Sequence, residues 1–291
     1  MMTLLSSPPL CTSQPPSSSS SSSAISRLSF FSSNSFTCLR TQSSVPSTSS
    51  CFLNRQPIRI SNVFTNQQQT ITLHKSKFRV SEGTAEDELW AAASLRIRTF
   101  NHFPPDSFGI DDHKKYLAEH EFEAMKERTA GKRVGFKRVS CINATLPLSE
   151  ISTLAEDLCS TCKFSDGGED RVVVGSLDLN QCVRLPDEIT GMKPEGIGAD
   201  FARAYLSNVC VAKELQRNGL GYALVAKAKT IAQDWGISDL YVHVAFDNEA
   251  GKKLYMKSGF VYESDEPSWQ ARFLDRPRRI LFWTPLSQFL L

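Results

Sequence analysis

Two clusters of residues could do chemistry. Gln216-Arg217-Asn218-Gly219-Leu220-Gly221 follows a β-branched run, Leu206-Ser207-Asn208-Val209-Cys210-Val211, and precedes an alanine-rich helical pattern. A strand that breaks into glycines and then opens a helix can bind phosphate. Glycine lets the backbone approach an anion. The unpaired N–H groups of the helix's first turn point at that anion, and the helix dipole adds partial positive charge. The amides of residues 217 to 222, through Tyr222, are the candidate donors. The second cluster is Asn248-Glu249-Ala250-Gly251-Lys252-Lys253-Leu254-Tyr255, ahead of Gly259-Phe260. Asn248 and Tyr255 are seven residues apart, about two helical turns, so they share a face. Either cluster alone is a common pattern. The two together, in this order and separation, are specific.

These clusters need a scaffold, and from Ala204 onward its order is clear. Arg203 to Val211 reads as a strand. Leu220, Ala223, Leu224, Ala228, Ile231, Ala232 and Trp235 form one helical face, and Gly236 ends that helix. Leu240 to Phe246 is the next strand, apolar enough to be covered on both faces. Strand, helix and strand imply a right-handed parallel crossover, with phosphate bound beyond a strand's carboxyl end. Asn248 to Ser258 is a short helix, and Phe260 to Glu263 and Arg279 to Trp283 are the last strands.

Upstream, Lys77 to Ser81 predicts a first strand. Thr84 offers an N-cap, with Glu86, Asp87 and Glu88 in the first turn and Leu89, Trp90, Ala93, Ile97 and Phe100 at helical spacing. Asn101 to Gly109 holds Pro104 and Pro105 and reads as a loop. Asp111 to Thr129 suits a second helix ended by Gly131, Lys137 to Thr145 a strand, and Arg171 to Leu179 a β-branched strand. Leu146 to Asp170 is irregular, with a short helix around Leu148 to Cys159. Asn180 to Asp200 is a long loop between strands that could have met in a hairpin; it reads as a substrate-side lid or as an insertion.

Gln216, Gly219 and Gly221 match the pattern (Gln/Arg)-x-x-Gly-x-(Gly/Ala). Asn248, Tyr255, Gly259 and Phe260 match Asn-x-x-Ala-x-x-x-Tyr-x-x-x-Gly-Phe, with Gly251 in place of the alanine. In this the chain resembles the GNAT superfamily of acetyl-CoA-dependent N-acetyltransferases, from about Lys77 to Leu286. Tyr-Leu-Ser-Asn-Val-Cys-Val-Ala and Leu-Tyr-Met-Lys-Ser-Gly-Phe look closest to the plant plastid branch, which is associated with acetylation of protein N-termini and lysines. The resemblance implies a mixed α/β fold. Its sheet would be mostly antiparallel, with a central parallel strand pair splayed around acetyl-CoA and about four flanking helices. It also implies acetyl-CoA as cosubstrate, no metal, and protein or peptide amines as acceptors.

Site roles follow from the same resemblance. The backbone of Val209, Cys210 and Val211 would bind the pantetheine arm and the acetyl carbonyl. Gln216, Arg217, Asn218, Gly219, Leu220, Gly221 and Tyr222 would hold the pyrophosphate. Asn248, beside Glu249 and Ala250, would contact the cofactor arm, and Tyr255 would be the general acid. A phenol near pKa 10 is protonated at working pH and can deliver a proton to a thiolate. The bland alternatives are that Tyr255 only packs beside Leu254 and that Asn248 only caps its helix. The general base is open. Some relatives place a glutamate where this chain has Tyr205. His243, mid-strand, could take a proton through water or be structural, and a chain of solvent is a third route.

The first 80 residues are a different material. Twenty of the first 50 are serine, no acid occurs before Glu82, and basic residues do occur, from Arg27 to Arg79. Such a segment is too polar to build a core, and its composition is that of an organelle transit peptide. Richness in serine favours the chloroplast and its stroma over the mitochondrion; a tail that stays attached is the alternative. Residues 1–75 are therefore read as a chloroplast transit peptide and 76–291 as one domain. Seven of the 33 basic residues precede residue 81, which leaves 26 against 31 acids, a charge of about −5. That balance gives no reason to invoke nucleic acid. No apolar run reaches the ~18 residues of a membrane span.

Five cysteines follow the leader, Cys141, Cys159, Cys162, Cys182 and Cys210, at irregular spacing unlike a secreted disulfide framework. Cys159 and Cys162 form one CxxC without two further zinc ligands. They are a redox pair or two ordinary thiols.

The leading function is acetyl transfer to protein amines in plastids. A small-amine acetyltransferase would show a narrow closed pocket. A non-catalytic acetyl-CoA sensor would have no need of the Tyr255 hydroxyl. A dinucleotide oxidoreductase is disfavoured, because Gly-x-Gly-x-x-Gly is absent and the glycine turn comes late.

Overall fold

The computed structural model describes residues 78–104, 108–132, 135–151, 155–182 and 202–286. The expected transit segment and all of the long loop beyond Cys182 up to residue 201 lie outside these ranges.

The sheet is built from β1 (Arg79–Glu82), β2 (Phe136–Pro147), β3 (Lys163–Asp166), β4 (Glu169–Cys182), β5 (Arg203–Val211), β6 (Asp239–Ala245), β7 (Val261–Asp265) and β8 (Arg279–Pro285). Their order is β1-β2-β4-β5-β6-β8-β7, with β3 paired to the start of β4. Among the described strands only β5 and β6 pair in parallel; the other pairs are antiparallel. The helices are α1 (Glu86–Phe100), α2 (Ile110–Thr129), α3 (Glu156–Thr161), α4 (Leu220–Asp234), α5 (Glu249–Lys257) and α6 (Ser268–Phe273). This is the mixed fold expected from the resemblance. The two shortest helices, α3 and α6, come on top of the four flanking ones, and α6 had no counterpart in the sequence reading.

Strand alternation in β4 separates the two faces. Ser176 and Asp178 point to α1, where Arg96 meets both. A Cβ on Gly175 would stand 2.9 Å from Leu224 Cδ1 of α4 and 3.3 Å from the Cys210 carbonyl oxygen, so a larger residue there would have to displace Leu224. The apolar stripe of α4 (Leu220, Leu224, Ala228, Ile231) is buried as its spacing predicts.

Three local readings are corrected. Thr84 is not the cap of α1: the N-cap is Ala85, without a side-chain bond, and the Asp87 carboxylate instead accepts from the Glu88 N–H at 3.0 Å. Within the stretch read as irregular, the chain forms a hairpin. Gly167 and Gly168, at φ 59 and 88, make its two-residue turn between β3 and β4. Asn180 to Cys182 continue β4 instead of starting the loop.

Candidate active site

Parallel pairing of β5 with β6 starts at Arg203↔Asp239 and stops at Leu206↔Val242. Beyond that point β5 pairs with β4 alone, through Ser176↔Cys210 and Gly175↔Val211. The backbone edge of Val209, Cys210 and Val211 on the β6 side is thus free of any strand among the described residues. A splayed parallel pair of this kind offers fixed N–H and C=O groups to a ligand lying between the strands.

The glycine turn stands at the carboxyl end of β5. A short 3₁₀ turn, Lys213–Leu215, buries Leu215 as an anchor. Asn218 Nδ2 donates to the carbonyls of Leu215 and Gln216 at 3.2 and 3.3 Å, and Gln216 Nε2 donates to that of Val211 at 3.4 Å. Arg217 and Gly219 take positive φ, 68 and 83, and Gly219 is the N-cap of α4. The first intrahelical bond there is Ala223 N–H to the Gly219 carbonyl, so the amides of Leu220, Gly221 and Tyr222 have no acceptor within the helix. The first turn of α4 holds no acid, which among the described helices is shared only by the six-residue α6; α1, α2, α3 and α5 each begin with one or more. Acids at helix starts are stabilising. A start that omits them suits a ligand that brings its own negative charge.

Gly221 joins this turn to α5. Its absent Cβ would lie 3.1 Å from Leu254 Cδ2 and 3.8 Å from Val211 Cγ2. It therefore faces helix packing and not the open turn. Asn248 is the N-cap of α5 and accepts from the Gly251 N–H at 2.8 Å. The capping reading of Asn248 holds, and it does not preclude a ligand contact. It also accounts for glycine in place of the pattern's alanine, because a Cβ at Gly251 would sit 2.9 Å from Asn248 Nδ2 and 3.1 Å from Val244 Cγ1. Glu249 is exposed and pairs with Lys252 at 2.8 Å. Ala250 lies in the exposed first turn of α5.

Tyr255 is buried, with its ring edge-on to Phe260 at 5.6 Å. Burial, then the neighbouring Tyr205 and Cys210, push its phenol well above the ordinary value. The group stays protonated throughout the working pH range and lies within electrostatic reach of β5. The packing reading of Tyr255 holds.

His243 is the first residue of β6 beyond the parallel pairing. Its Nδ1 hydrogen-bonds the Tyr205 hydroxyl at 3.0 Å, and its backbone N–H donates to the same oxygen at 3.3 Å. Burial, then the positive Arg279, push its pKa down from 6.5 to about 3. The imidazole is neutral at physiological pH and is a weaker base than an ordinary histidine. The consequence for stability has a definite sign. Below pH 6.5 the unfolded chain takes up a proton that the folded chain refuses, so stability falls progressively toward pH 3. Relative to His243→Gln, the wild type is expected to lose about 2 kcal/mol between neutrality and pH 5, measured by denaturant titration at each pH. Parallel pH profiles of the two proteins would refute the assignment.

Two cavities open elsewhere. One of about 370 Å³ lies among Trp90, Ile97, Phe103 and Lys114, and one of about 440 Å³ lies among Gly83, Lys126 and Ser140. Neither contains a residue of the fork or the glycine turn. Cys159 and Cys162 are buried free thiols, and burial pushes Cys162 up to about 11. Neither is a reactive thiolate at neutral pH. Among the described residues no group of three or more His, Cys, Asp or Glu could hold a metal ion, and no helix is long and apolar enough to cross a membrane.

The sequence reading missed the charged groups behind the fork. Arg96 of α1 is buried and donates to Asp178 at 2.7 and 2.9 Å, to Glu121 at 2.9 Å and to Ser176 at 2.9 Å. The available signals were an arginine on the apolar stripe of α1, seven residues after Leu89, and an aspartate inside a β-branched strand.

The structure thus sets a forked parallel strand pair beside a glycine turn that opens a helix, on a mixed α/β sheet. The comparisons specify the class of protein. Residues 149–260 match the Acetyltransferase (GNAT) family. The chain is 69% identical over 214 residues to GCN5-related N-acetyltransferase 7, chloroplastic, of Arabidopsis thaliana, covering 74% of this chain and 78% of that protein. It is 29% identical to GCN5-related N-acetyltransferase 6, chloroplastic, of the same plant, over 63% of this chain and 62% of the relative. Among solved structures, the PaiA N-acetyltransferase of Thermoplasma acidophilum in complex with coenzyme A aligns at a TM-score of 0.42 and 12% identity, over 72% of this chain and 98% of the other. The chain belongs to the GNAT family and is an acetyl-CoA-dependent acetyltransferase.

Proposed function

We propose that the protein transfers the acetyl group of acetyl-CoA to amines of proteins, both N-terminal α-amines and lysine ε-amines, in the plastid stroma. The observation that carries the reaction is the unpaired edge of Val209–Val211, with the acid-free start of α4 at its end and the buried Tyr255 beside it. The acceptor class and compartment are supported by the plastid-type wording of β5 and α5 and by relatives named as chloroplastic N-acetyltransferases.

The residues fit the cosubstrate. Acetyl-CoA, when bound, supplies the thioester. The amides of residues 217–222 hold its pyrophosphate, and Gln216 and Asn218 brace that turn from within. Backbone N–H groups of Val209–Val211 polarise the acetyl carbonyl as fixed donors. Asn248 keeps α5 capped so that Tyr255 stays aimed at β5. The Tyr255 hydroxyl gives its proton to the leaving sulfur.

The test is to incubate the chain from residue 76, which retains β1, with acetyl-CoA and a mixed peptide library, and to map acetylated amines by mass spectrometry. Acetylated α- and ε-amines on peptides are expected. Turnover confined to small polyamines or aminoglycoside-like amines would replace this reading with that of a small-molecule enzyme. Residues 1–75 fused to a fluorescent reporter should enter chloroplasts and be removed there. A full-length cytosolic reporter would overturn the targeting.

A further inference from the structure

Strand β5 carries one residue more than β4 across the middle of their pairing. Cys210 opposes Ser176 and Ser207 opposes Asp178, so Asn208 and Val209 together face Leu177. This is a β-bulge, and its left-handed residue is Asn208, at φ 53. A one-residue slip exchanges the two faces of a strand. Before the bulge, Tyr205 and Ser207 lie on the α1 face with Asn180 and Asp178. After it, Cys210 takes that face, and Val211 turns to meet Gly221 at the start of α4. The backbone groups that Val209–Val211 present at the open edge are therefore set by the bulge.

The bulge is held from behind. Asn208 Nδ2 donates to Asp178 Oδ2 at 2.9 Å. Asp178 is buried; burial would raise its pKa, but Arg96 and then Arg128 outweigh that, and the carboxylate stays charged. Arg96 also donates to Ser176 Oγ, so one guanidinium grips both β4 residues that flank the slip. Asn180 Nδ2 holds the strand just upstream, through the Tyr205 carbonyl at 3.1 Å and Ser207 Oγ at 2.9 Å. Charge-assisted bonds in a buried site are strong and geometrically specific.

We infer that Asp178, clamped by Arg96, is a positioning residue: through the Asn208 side chain it fixes the bulge that aims the Val209–Val211 backbone at the acetyl group. The inference rests on the proposed acetyl-transfer reading of that edge. It concerns orientation of the reacting carbonyl and leaves the pyrophosphate turn untouched.

The test is Asn208→Gly in the full chain. Glycine adopts the same positive φ without strain; the bond to Asp178 is lost with the side chain, and the backbone gains freedom at that one residue. Turnover is expected to fall at least tenfold while the dissociation constant for coenzyme A, by calorimetry, stays within twofold. Amide hydrogen exchange of Val209–Val211 should quicken at least tenfold, with β2 amides unchanged. A folded variant with wild-type turnover and wild-type exchange overturns the inference. Equal weakening of coenzyme A binding and of β2 protection also overturns it, since that marks general loosening. A wild type that binds coenzyme A but acetylates nothing refutes the acetyl-transfer reading instead, and the exchange comparison still decides whether Asp178 holds the strand.

Discussion

Tyr255→Phe should lower acetyl transfer by roughly 10²-fold or more and leave acetyl-CoA affinity nearly unchanged. The substitution removes one hydroxyl and keeps the ring against Phe260 at 5.6 Å, so packing is preserved. Burial and the nearby Tyr205 and Cys210 hold the phenol protonated, which leaves its proton available and excludes it as a base at working pH. General-acid catalysis is commonly worth 10²- to 10⁴-fold. A proton delivered only in the transition state affects turnover and not ground-state binding. Steady-state transfer to a peptide amine, with calorimetry in parallel, separates the two. Unchanged turnover would mean that solvent protonates the sulfur and Tyr255 only packs.

The parts of this site that were legible in the sequence are those coded locally. The glycine turn, the stripe of α4 and the Asn248–Tyr255 spacing each fall within about four helical turns; the α4 stripe is buried as read, and Asn248 and Tyr255 fall on one helix, as its exposed cap and its buried residue. What was hidden is non-local. Asn208 and Asp178 are separated by 30 residues, and Arg96 and Asp178 by 82, so no window of sequence shows that they meet. The bulge itself depends on pairing register, which alternation alone does not count. The β3–β4 hairpin did have a local signal in Gly167-Gly168, but the short β3 offered too few residues for a period to show. Thr84 looked like a cap because caps are read from residue type. The helix begins with Glu86, where Asp87 can serve the exposed N–H groups.

His243 illustrates the limit of reading a residue by its type. On sequence it is an acid–base group with a pKa near neutrality. In the fold, burial and Arg279 keep the ring neutral, and Tyr205 occupies Nδ1. Its position at the fork is a fact of topology, because the parallel pairing ends one residue earlier.

Gly221→Asp should weaken acetyl-CoA binding at least tenfold, about 1.4 kcal/mol. Two effects act together. The carboxylate introduces negative charge in the first turn of α4, the one long described helix that starts without an acid on the open side of the sheet's fork, where the unpaired amides favour an anionic ligand. Its Cβ also points at Leu254 Cδ2, 3.1 Å away, and at Val211 Cγ2, so the side chain must push α5 or turn back toward the amides it would occupy. Gly221→Ala separates charge from crowding. The alanine methyl crowds the flexible end of Leu254, which can move by a few tenths of an ångström, and meets Val211 Cγ2 at ordinary contact distance, so affinity should stay within about threefold of wild type, under 1 kcal/mol. Calorimetry on both variants, with circular dichroism to confirm folding, decides the matter. A folded Gly221→Asp with wild-type affinity would place the anion elsewhere. Equal losses in the two variants would show that displacement of α5, the helix carrying Asn248 and Tyr255, governs binding, and that the glycine is needed for packing and not for charge.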